Sequence, residues 1–508
     1  MAILDDNKPR IILPRWRNVK SESSKLILES EKKDTSSHSI STELFLQNKL
    51  TFNADKSFSN ALEVINSGFS LNQEQNAIEE AKFIFSLDKK LPSSLKKILN
   101  LILKDSTDTT FEEKTEITNP HLKNIFKEAG KNISEIRKRL VNFSYNPLLW
   151  LELSRLYSIL GNINKAESAS QIALQLSKNS NRLITRSVSR FYVHKQDFAH
   201  AQSIIRKSPY FSTDPWLIAA DISYSQFLHR LPTSIKIGKQ MIESKSFSNG
   251  DITELAAAVG TQEYFDKSIK EGQKYFHKSL KSPNENSFAQ ADFFLGDFKE
   301  KKFLIDKIDN NFEAQSIELR KLKKYEEAFS KSFHWLIDQP FSRRAAYFNS
   351  YLLCGILENF EKAVEIGKFS LRSNPKSFLL NNNIAYSYAQ LNDTKNANYF
   401  LSRMKTIHSI SDEQKVILLA TEGLIKFKEK KIEEGQYYYR KAIDEAENQK
   451  NKTLKILALL HFAREEFDSN TIKKDEVFKI ISNFDKEDLK KGDVEIEIAN
   501  LNRILRGK

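Results

Sequence analysis

Apolar side chains recur every three or four residues along most of the chain, beginning near residue 43. Early examples are Ala61, Leu62 and Ile65, followed by Ala81 and Ile84. Because an α-helix makes one turn in about 3.6 residues, each such set would lie on one face of a helix. The pattern therefore predicts amphipathic helices from residue 43 onward.

Between residues 146 and 176, the pattern has the form of a helical hairpin. Trp150 and Tyr157 share one helical face, Gly161 follows at the expected turn, and Ala166 comes next on the second helix. A small residue at that point lets the two helices approach closely. This spacing resembles the tetratricopeptide repeat (TPR), a helical hairpin of about 34 residues.

The same pattern recurs along the chain. Ala201 follows Ala166 by 35 residues, and Ala328, Ala363 and Ala397 are 35 and 34 residues apart. A later unit carries glycine at residue 435 where alanine is usual, with a longer spacing of 38 residues. Regular spacing over this length indicates a repeat array.

The resemblance implies an all-α fold, a right-handed superhelical α-solenoid of stacked TPR-like helix-turn-helix hairpins. We predict six segments: a flexible N-terminal arm with a short basic and apolar block (1–42), an N-terminal helical region (43–140), TPR-like hairpins (141–212), divergent helical hairpins (213–310), TPR-like hairpins (311–450) and C-terminal capping helices (451–508). A terminal repeat needs a polar outer face, which the many charges after residue 473 supply. Whether 43–140 belongs to the same solenoid stays open.

Composition supports a helical fold. The 508 residues include 14 Gly and 11 Pro, about 5% together against about 12% on average, which disfavours folds with frequent tight turns. The chain has one cysteine, no basic-then-apolar leader pattern and no apolar run of about 18 residues, so we predict a cytoplasmic protein without membrane insertion. Its preference for Lys, Asn, Ile and Ser suggests a bacterial source.

No catalytic signature is present in the sequence. Three Gly-Lys pairs lack the rest of a phosphate-binding loop, and motifs for serine hydrolases or zinc peptidases are absent. His194 and His200 are compatible with a metal site, but packed or solvent-facing histidines are the favoured interpretation, and Cys354 lies in an apolar stretch typical of a buried thiol. We predict no enzyme activity, no cofactor and no metal.

The resemblance also points to a binding surface. In TPR proteins the first helix of each hairpin lines a concave groove, which implies an extended peptide or a partner helix as ligand. Alignment of the repeats gives Asn349 and Asn383 equivalent groove positions, where a carboxamide can pair with backbone amides. Further candidates near them are Arg343, Arg344, Asn382, Tyr386 and Thr421. The alternative is coincidence, since asparagine is abundant in this chain.

The most concentrated basic and aromatic block lies in the arm and contains Arg10, Arg15, Trp16 and Arg17. These residues are compatible with stacking on a nucleic-acid base, with insertion at a membrane surface or with docking in a protein groove. A fourth interpretation, which we favour slightly, is that Ile11, Ile12 and Trp16 cap the first helices of the solenoid. The net charge of +13 is dilute over 508 residues, and lysines alternate with glutamates.

Two functional hypotheses follow. The first is a non-catalytic protein- or peptide-binding scaffold or adaptor that uses the concave groove of the solenoid. The second is a nucleic-acid-associated regulatory or defence-system component that uses the basic arm. The sequence leaves the partner and the oligomeric state open.

Overall fold

The structure is a computed structural model of the chain. It describes residues 13–14, 16, 42–70, 77–87, 91, 95, 99, 103, 119–244, 246–408, 410–485, 487–490 and 492–507. These residues form two compact units. The N-terminal unit contains Pro120–Leu304 and the described part of Arg10–Glu116, and the C-terminal unit contains Asn119 and the described part of Ile305–Lys508.

The described part of the N-terminal unit is helical. Its helices are α1 (Thr42–Ala54), α2 (Phe58–Ser70), α3 (Ile78–Ser86), α4 (Pro120–Asn142), α5 (Pro147–Ile159), α6 (Ile163–Leu176), α7 (Arg182–His194), α8 (Phe198–Arg206), α9 (Pro215–Phe227), α10 (Ile235–Glu243), α11 (Thr253–Phe265), α12 (Ile269–Ser279), α13 (Glu285–Leu295) and α14 (Lys301–Lys307). The last turn of α14 already belongs to the C-terminal unit.

The C-terminal unit continues in the same way. Its helices are α15 (Phe312–Lys321), α16 (Tyr325–Asp338), α17 (Arg343–Tyr351), α18 (Phe360–Ser373), α19 (Phe378–Gln390), α20 (Thr394–Lys405), α21 (Asp412–Lys428), α22 (Ile432–Asn448), α23 (Lys452–Asp468), α24 (Lys474–Ser482) and α25 (Gly492–Gly507). A π-helical turn, Leu352–Ile356, extends α17, and a 3₁₀ turn, Asp488–Lys490, precedes α25.

Consecutive helices pack as antiparallel hairpins, and the small residues predicted from the repeat lie at their contacts. Ala166, Ala328, Ala363 and Ala397 are fully buried. At Gly435 an added Cβ would lie 2.5 Å from the Phe427 ring, so only a residue without a side chain fits there. The predicted all-α fold of stacked helix-turn-helix hairpins is confirmed.

The first helices of successive hairpins also contact each other and form a layer within each unit. In the N-terminal unit this layer consists of α5, α7, α9, α11 and α13, and in the C-terminal unit it consists of α17, α19, α21 and α23. We call each set the inner layer of its unit. Among the described helices, none combines the length and the apolar character that a membrane crossing requires.

The hairpin turns explain how a chain with few glycines folds back so often. Gly161 adopts a positive φ of 79°, as the sequence predicts, but the equivalent residues in other hairpins are Gln196, Lys267, Lys323 and Asn392, with φ between 59° and 64°. Each turn has the hydrogen bonds of a Schellman motif, such as Ser268 N–H to the Glu263 carbonyl at 2.8 Å. Most hairpins therefore close through a left-handed residue that is not glycine.

Replacing Lys267 by Gly should stabilise the protein. A left-handed conformation costs a residue with a Cβ about 1 kcal/mol or more, and glycine removes that cost. We expect Lys267→Gly to raise the thermal unfolding midpoint, measured by circular dichroism. Lys267→Ala removes the same side chain but keeps the Cβ, so it should give no increase. Equal midpoints for the two variants would contradict this account of the turn.

Candidate functional site

Asn349, the first of the predicted groove residues, is fully buried on α17. Its Nδ2 donates to the backbone carbonyls of Ser332 at 2.6 Å and Ala345 at 2.9 Å, and its Oδ1 accepts from the Ser332 hydroxyl at 3.0 Å. Ser332 belongs to α16, so the carboxamide connects two successive hairpins. Most of its hydrogen-bonding capacity is used inside the unit.

Asn382, Asn383 and Thr421 form a second polar group in the C-terminal inner layer. The Asn382 Oδ1 accepts from the Thr421 hydroxyl at 2.7 Å, which links α19 to α21, and its Nδ2 donates to the Asn383 Oδ1 at 3.3 Å. The Nδ2 of Asn383 is buried and has no hydrogen-bond partner among the described residues. Asn349 and Asn383, although equivalent in the repeat, therefore differ in their surroundings.

The remaining predicted residues of this unit lie around the same layer. Tyr386 is buried, and its ring meets the His461 ring edge-to-face at 5.9 Å. Burial raises the pKa of Tyr386 well above its ordinary value. Arg343 is half-buried, which lowers its pKa, and Arg344 is exposed and pairs with Glu313 at 2.7 Å.

The last helix, α25, covers part of the C-terminal inner layer. This helix packs against α23 and against the π-helical turn, with Val494, Leu501 and Leu505 fully buried. The sequence analysis assigned 451–508 to capping helices, and the apolar periodicity there carries no signal of which surface the last helix contacts. The residues beneath α25 therefore form a candidate surface that sequence reasoning missed.

A group of charged side chains lies between α25 and α23. Arg464 approaches the Glu497 carboxylate at 3.6 Å and the Glu358 carboxylate at 3.4 Å, and the His461 Nδ1 lies 3.4 Å from Glu497. His461, Arg464 and Glu497 are all buried. These separations are close electrostatic contacts without the geometry of direct hydrogen bonds.

Burial changes the protonation of this group. It raises the pKa of Glu497 to about 7, although the nearby Arg464 acts in the opposite direction. It also lowers the pKa of His461 well below its ordinary value. At neutral pH the imidazole is therefore neutral, so the contact between His461 and Glu497 is not an ion pair, and Glu497 is close to its midpoint of titration.

A different segment lies against the inner layer of the N-terminal unit. The Leu13 carbonyl accepts a hydrogen bond from the Asn286 Nδ2 at 2.8 Å, and Pro14 is buried. Trp16 is only 3% exposed, and its ring meets the Phe191 ring edge-to-face at 5.9 Å. Phe191 belongs to α7 and Asn286 to α13, so the arm spans several helices of the layer.

Asn286 is held in position by a buried carboxylate. Its Nδ2 donates to the Glu254 Oε1 at 3.1 Å as well as to Leu13, so both amide hydrogens are used. Glu254 on α11 also accepts from Asn284 at 3.1 Å and pairs with Arg186. Sequence reasoning missed Asn286, because it lies in the divergent hairpins where the alanine pattern is lost.

The arm therefore contacts the inner layer through Leu13 and Trp16, on α13 and α7, which lie further along the chain than the first helices named in the capping interpretation. Arg10, Ile11, Ile12, Arg15 and Arg17 lie outside the described residues.

The remaining candidate residues make contacts within their own unit. His194 is buried, and His200 is exposed with its ring stacked on Tyr192 at 4.1 Å. Over the part of the chain that the structure describes, no three His, Cys, Asp or Glu residues are grouped as metal ligands. Burial raises the pKa of the Cys354 thiol to about 12, which disfavours the reactive thiolate at neutral pH.

No protein-family model matches the sequence, and no curated protein is significantly similar to it. Several solved structures of TPR-type helical repeat proteins are similar in fold. The APC/C hetero-tetramer Cut9-Hcn1 is 11% identical, with 91% of this chain and 85% of that chain covered and a TM-score of 0.39. The human IFIT1 dimer with PPP-AAAA is 13% identical (86% and 94% covered, TM-score 0.33), and yeast Tom70 is 12% identical (89% and 96% covered, TM-score 0.34). At these identities, the similarity concerns the fold alone.

The raised pKa of Glu497 predicts a pH-dependent stability difference between the wild type and Glu497→Gln. Folding shifts this pKa from 4.5 to about 7, so the stabilisation is complete below pH 4.5 and is lost as the pH rises to 7. Over this range, we expect the free energy of unfolding of the wild type to fall by up to about 3 kcal/mol relative to that of the variant. Unfolding midpoints measured from pH 5 to pH 8 test this.

The matched control is Glu495→Gln, which removes a carboxylate from an exposed position of the same helix. The opposite contribution of His461, whose pKa is lowered, occurs in both proteins and cancels in the comparison. A difference between wild type and Glu497→Gln that stays constant with pH would contradict the assignment.

The two equivalent asparagines should respond differently to substitution. Asn349→Ala removes three buried hydrogen bonds and should lower the free energy of unfolding by about 1–3 kcal/mol. Asn383→Ala should lower it by less, because its Nδ2 has no partner among the described residues. Thermal unfolding of the two variants provides the comparison, and equal losses would show that the surroundings of the two side chains do not differ as described.

Proposed function

We propose that the chain is a non-catalytic, cytoplasmic scaffold that binds proteins or peptides on its inner layers. The observation that carries this proposal is the packing of Leu13, Pro14 and Trp16 of the arm against the N-terminal inner layer. There a backbone carbonyl is recognised by the Asn286 carboxamide and an indole is buried against Phe191. This is a peptide-recognition contact made within the chain.

The chemistry of this contact suits extended peptides. A carboxamide that donates to a backbone carbonyl recognises a main chain without selecting its side chain. The buried indole adds an aromatic anchor of the type that dominates many interfaces. Together they favour an extended segment that carries a large apolar side chain about three residues after the recognised carbonyl.

In the C-terminal unit, we propose that the polar residues identified from the sequence contribute to a second binding face. They are Asn349, Asn382, Asn383, Tyr386 and Thr421, with Arg343 and Arg344 nearby. Asn383 is the strongest candidate for direct contact with a ligand, because its Nδ2 has no partner among the described residues. Asn349 is better suited to positioning the helices, since its hydrogen bonds are made to α16 and α17.

A nucleic-acid-associated regulatory or defence role has less support. Trp16, the aromatic residue of the basic arm, is packed on Phe191 and offers no open face for a base. Binding through the arm's arginines would also weaken steeply with added salt. A partner complex whose affinity changes little between low and high salt would agree with the protein-binding proposal.

A displacement experiment tests the proposed function. The receptor is the full-length Trp16→Ala variant, in which the indole no longer occupies its site on the inner layer. The probe is a fluorescent peptide of residues 8–20 with the native sequence. We expect this peptide to bind the variant at least about tenfold more tightly than the wild type, whose own arm competes for the site. Fluorescence anisotropy gives both affinities.

Two controls make the result specific. A probe peptide with Trp16→Ala should bind weakly, because it lacks the aromatic anchor. The receptor carrying both Trp16→Ala and Asn286→Ala should also bind the native peptide more weakly than Trp16→Ala alone. If the peptide bound wild type and variant equally, the proposed peptide site on the N-terminal inner layer would be wrong.

A further inference from the structure

We infer that the surface beneath α25, formed by α15, α17 and α23 and their turns, is a receptor for an amphipathic α-helix of a partner protein, acidic in its first half and basic in its last turns, and that α25 is the intramolecular helix that now occupies it. This inference rests on the proposed function and names the class of partner. We call the receptor surface the α25 seat. It is formed by Arg320, Lys323, Tyr351, Gly355, Glu358, His461 and Arg464.

The buried face of α25 has a carboxylate in the middle of an apolar stripe. Val494, Leu501 and Leu505 are fully buried, and Glu497, one turn after Val494, is 5% exposed. A helix that served only to complete a core would carry an apolar residue there, because burying a carboxyl group is unfavourable unless it is compensated. Glu497 instead faces His461 and Arg464, which fixes a single register of the helix.

The charges at the two ends of α25 have opposite signs, and the seat complements both. At the first turn, Asp493 accepts a hydrogen bond from the Tyr351 hydroxyl and lies 3.9 Å from Arg320, and Glu495 pairs with Lys323 at 2.7 Å. At the other end of α25, the helix carries a basic side chain and the seat carries an acidic one.

In the last turns of α25, Arg503 forms an ion pair with Glu358 of the seat. Between the two ends, the Asn500 Nδ2 donates to the Gly355 carbonyl at 3.3 Å. Because a helix bound in the reverse direction would put like charges together at both ends, this pattern selects the direction of the helix as well as its register.

The seat is assembled from separate hairpins. Its residues come from α15 and the turn after it, from α17, its π-helical extension and the turn that follows, and from α23. Gly355 belongs to the π-helical turn, an element found frequently at functional sites. The seat is therefore a property of stacked helices, and any helix with matching side chains meets the same groups.

The contacts of α25 are of a kind that another helix can replace. The Lys323–Glu495 pair joins two exposed side chains and the Arg503–Glu358 pair joins an exposed and a half-buried one, so each pair stabilises little individually. The buried pair of Arg464 with Glu497 gives specificity more than stability. The attraction then depends mainly on Val494, Leu501 and Leu505, and apolar side chains of these sizes are common in amphipathic helices.

The test weakens the contact of α25 with the seat and leaves every seat residue unchanged. Leu501→Asp in the full-length chain puts a charge on the buried face of α25 and changes no seat residue. The probe is a fluorescent peptide of residues 490–507 with the native sequence. We expect this peptide to bind Leu501→Asp at least about tenfold more tightly than the wild type, in which α25 competes. A peptide that itself carries Leu501→Asp should not bind.

Two further probes test the class of ligand. A designed helix that keeps only the acidic, apolar and basic positions described above, with alanine and glutamine elsewhere, should bind within about threefold of the native peptide. A native peptide with Glu495→Lys and Arg503→Glu should bind at least about tenfold more weakly, because its charges oppose those of the seat. Equal binding of the native and charge-reversed peptides would overturn the inference.

Circular dichroism shows whether the Leu501→Asp chain keeps its helices. If it does not, Leu505→Ala is a milder variant for the same measurement, and failure of both to bind the native peptide more tightly than wild type overturns the inference. A wild-type chain that is dimeric and becomes monomeric with Leu501→Asp would also overturn it, because α25 of a second copy would then occupy the seat. The arm-peptide experiment concerns the other unit, so its failure leaves this result interpretable.

Discussion

The fold depends on the close approach of helices at positions where a side chain has no room. Within one hairpin, a Cβ added at Gly435 would lie 2.5 Å from Phe427, and between hairpins a Cβ at Gly367 would lie 2.5 Å from Ile384. Alanine serves the same purpose at Ala328, Ala363 and Ala397, which are fully buried. These approaches bring the first helices of successive hairpins into contact, and each inner layer exists because of them.

An inner layer formed in this way buries polar groups that need partners. Some find them in the preceding hairpin, as Asn349 does with Ser332. Others contact a segment from elsewhere in the chain: Asn286 donates to Leu13 in the N-terminal unit, and Arg464 lies against Glu497 of α25 in the C-terminal unit. In both units, the surface that we propose for a partner is thus covered by the chain's own residues.

The repeat could be predicted from the sequence because it depends on local spacing, and the small residues that allow close approach recur at 34 or 35 residues. The surroundings of each repeat position could not be predicted from the sequence. Asn349 and Asn383 are equivalent, but the residue 17 positions earlier is Ser332 in one case and Ile366 in the other, so only Asn349 meets a hydroxyl there. The contact of Asn286 with Leu13 joins residues 273 positions apart. An amphipathic pattern predicts which face of a helix is buried, but it does not predict which segment packs against that face.

The two segments of the chain are held by different physical interactions, and this difference bears on the partner that we propose for each unit. Leu13 and Trp16 are held by a main-chain hydrogen bond and one buried indole, which set few requirements on the other side chains. The last helix is held by an apolar stripe with charges at fixed positions, including a buried carboxyl group whose pKa lies near neutrality. The first mode tolerates many extended sequences. The second demands a helical register and a direction, so the helix that we propose as a partner of the C-terminal unit has to meet more requirements than the extended segment that we propose for the N-terminal unit.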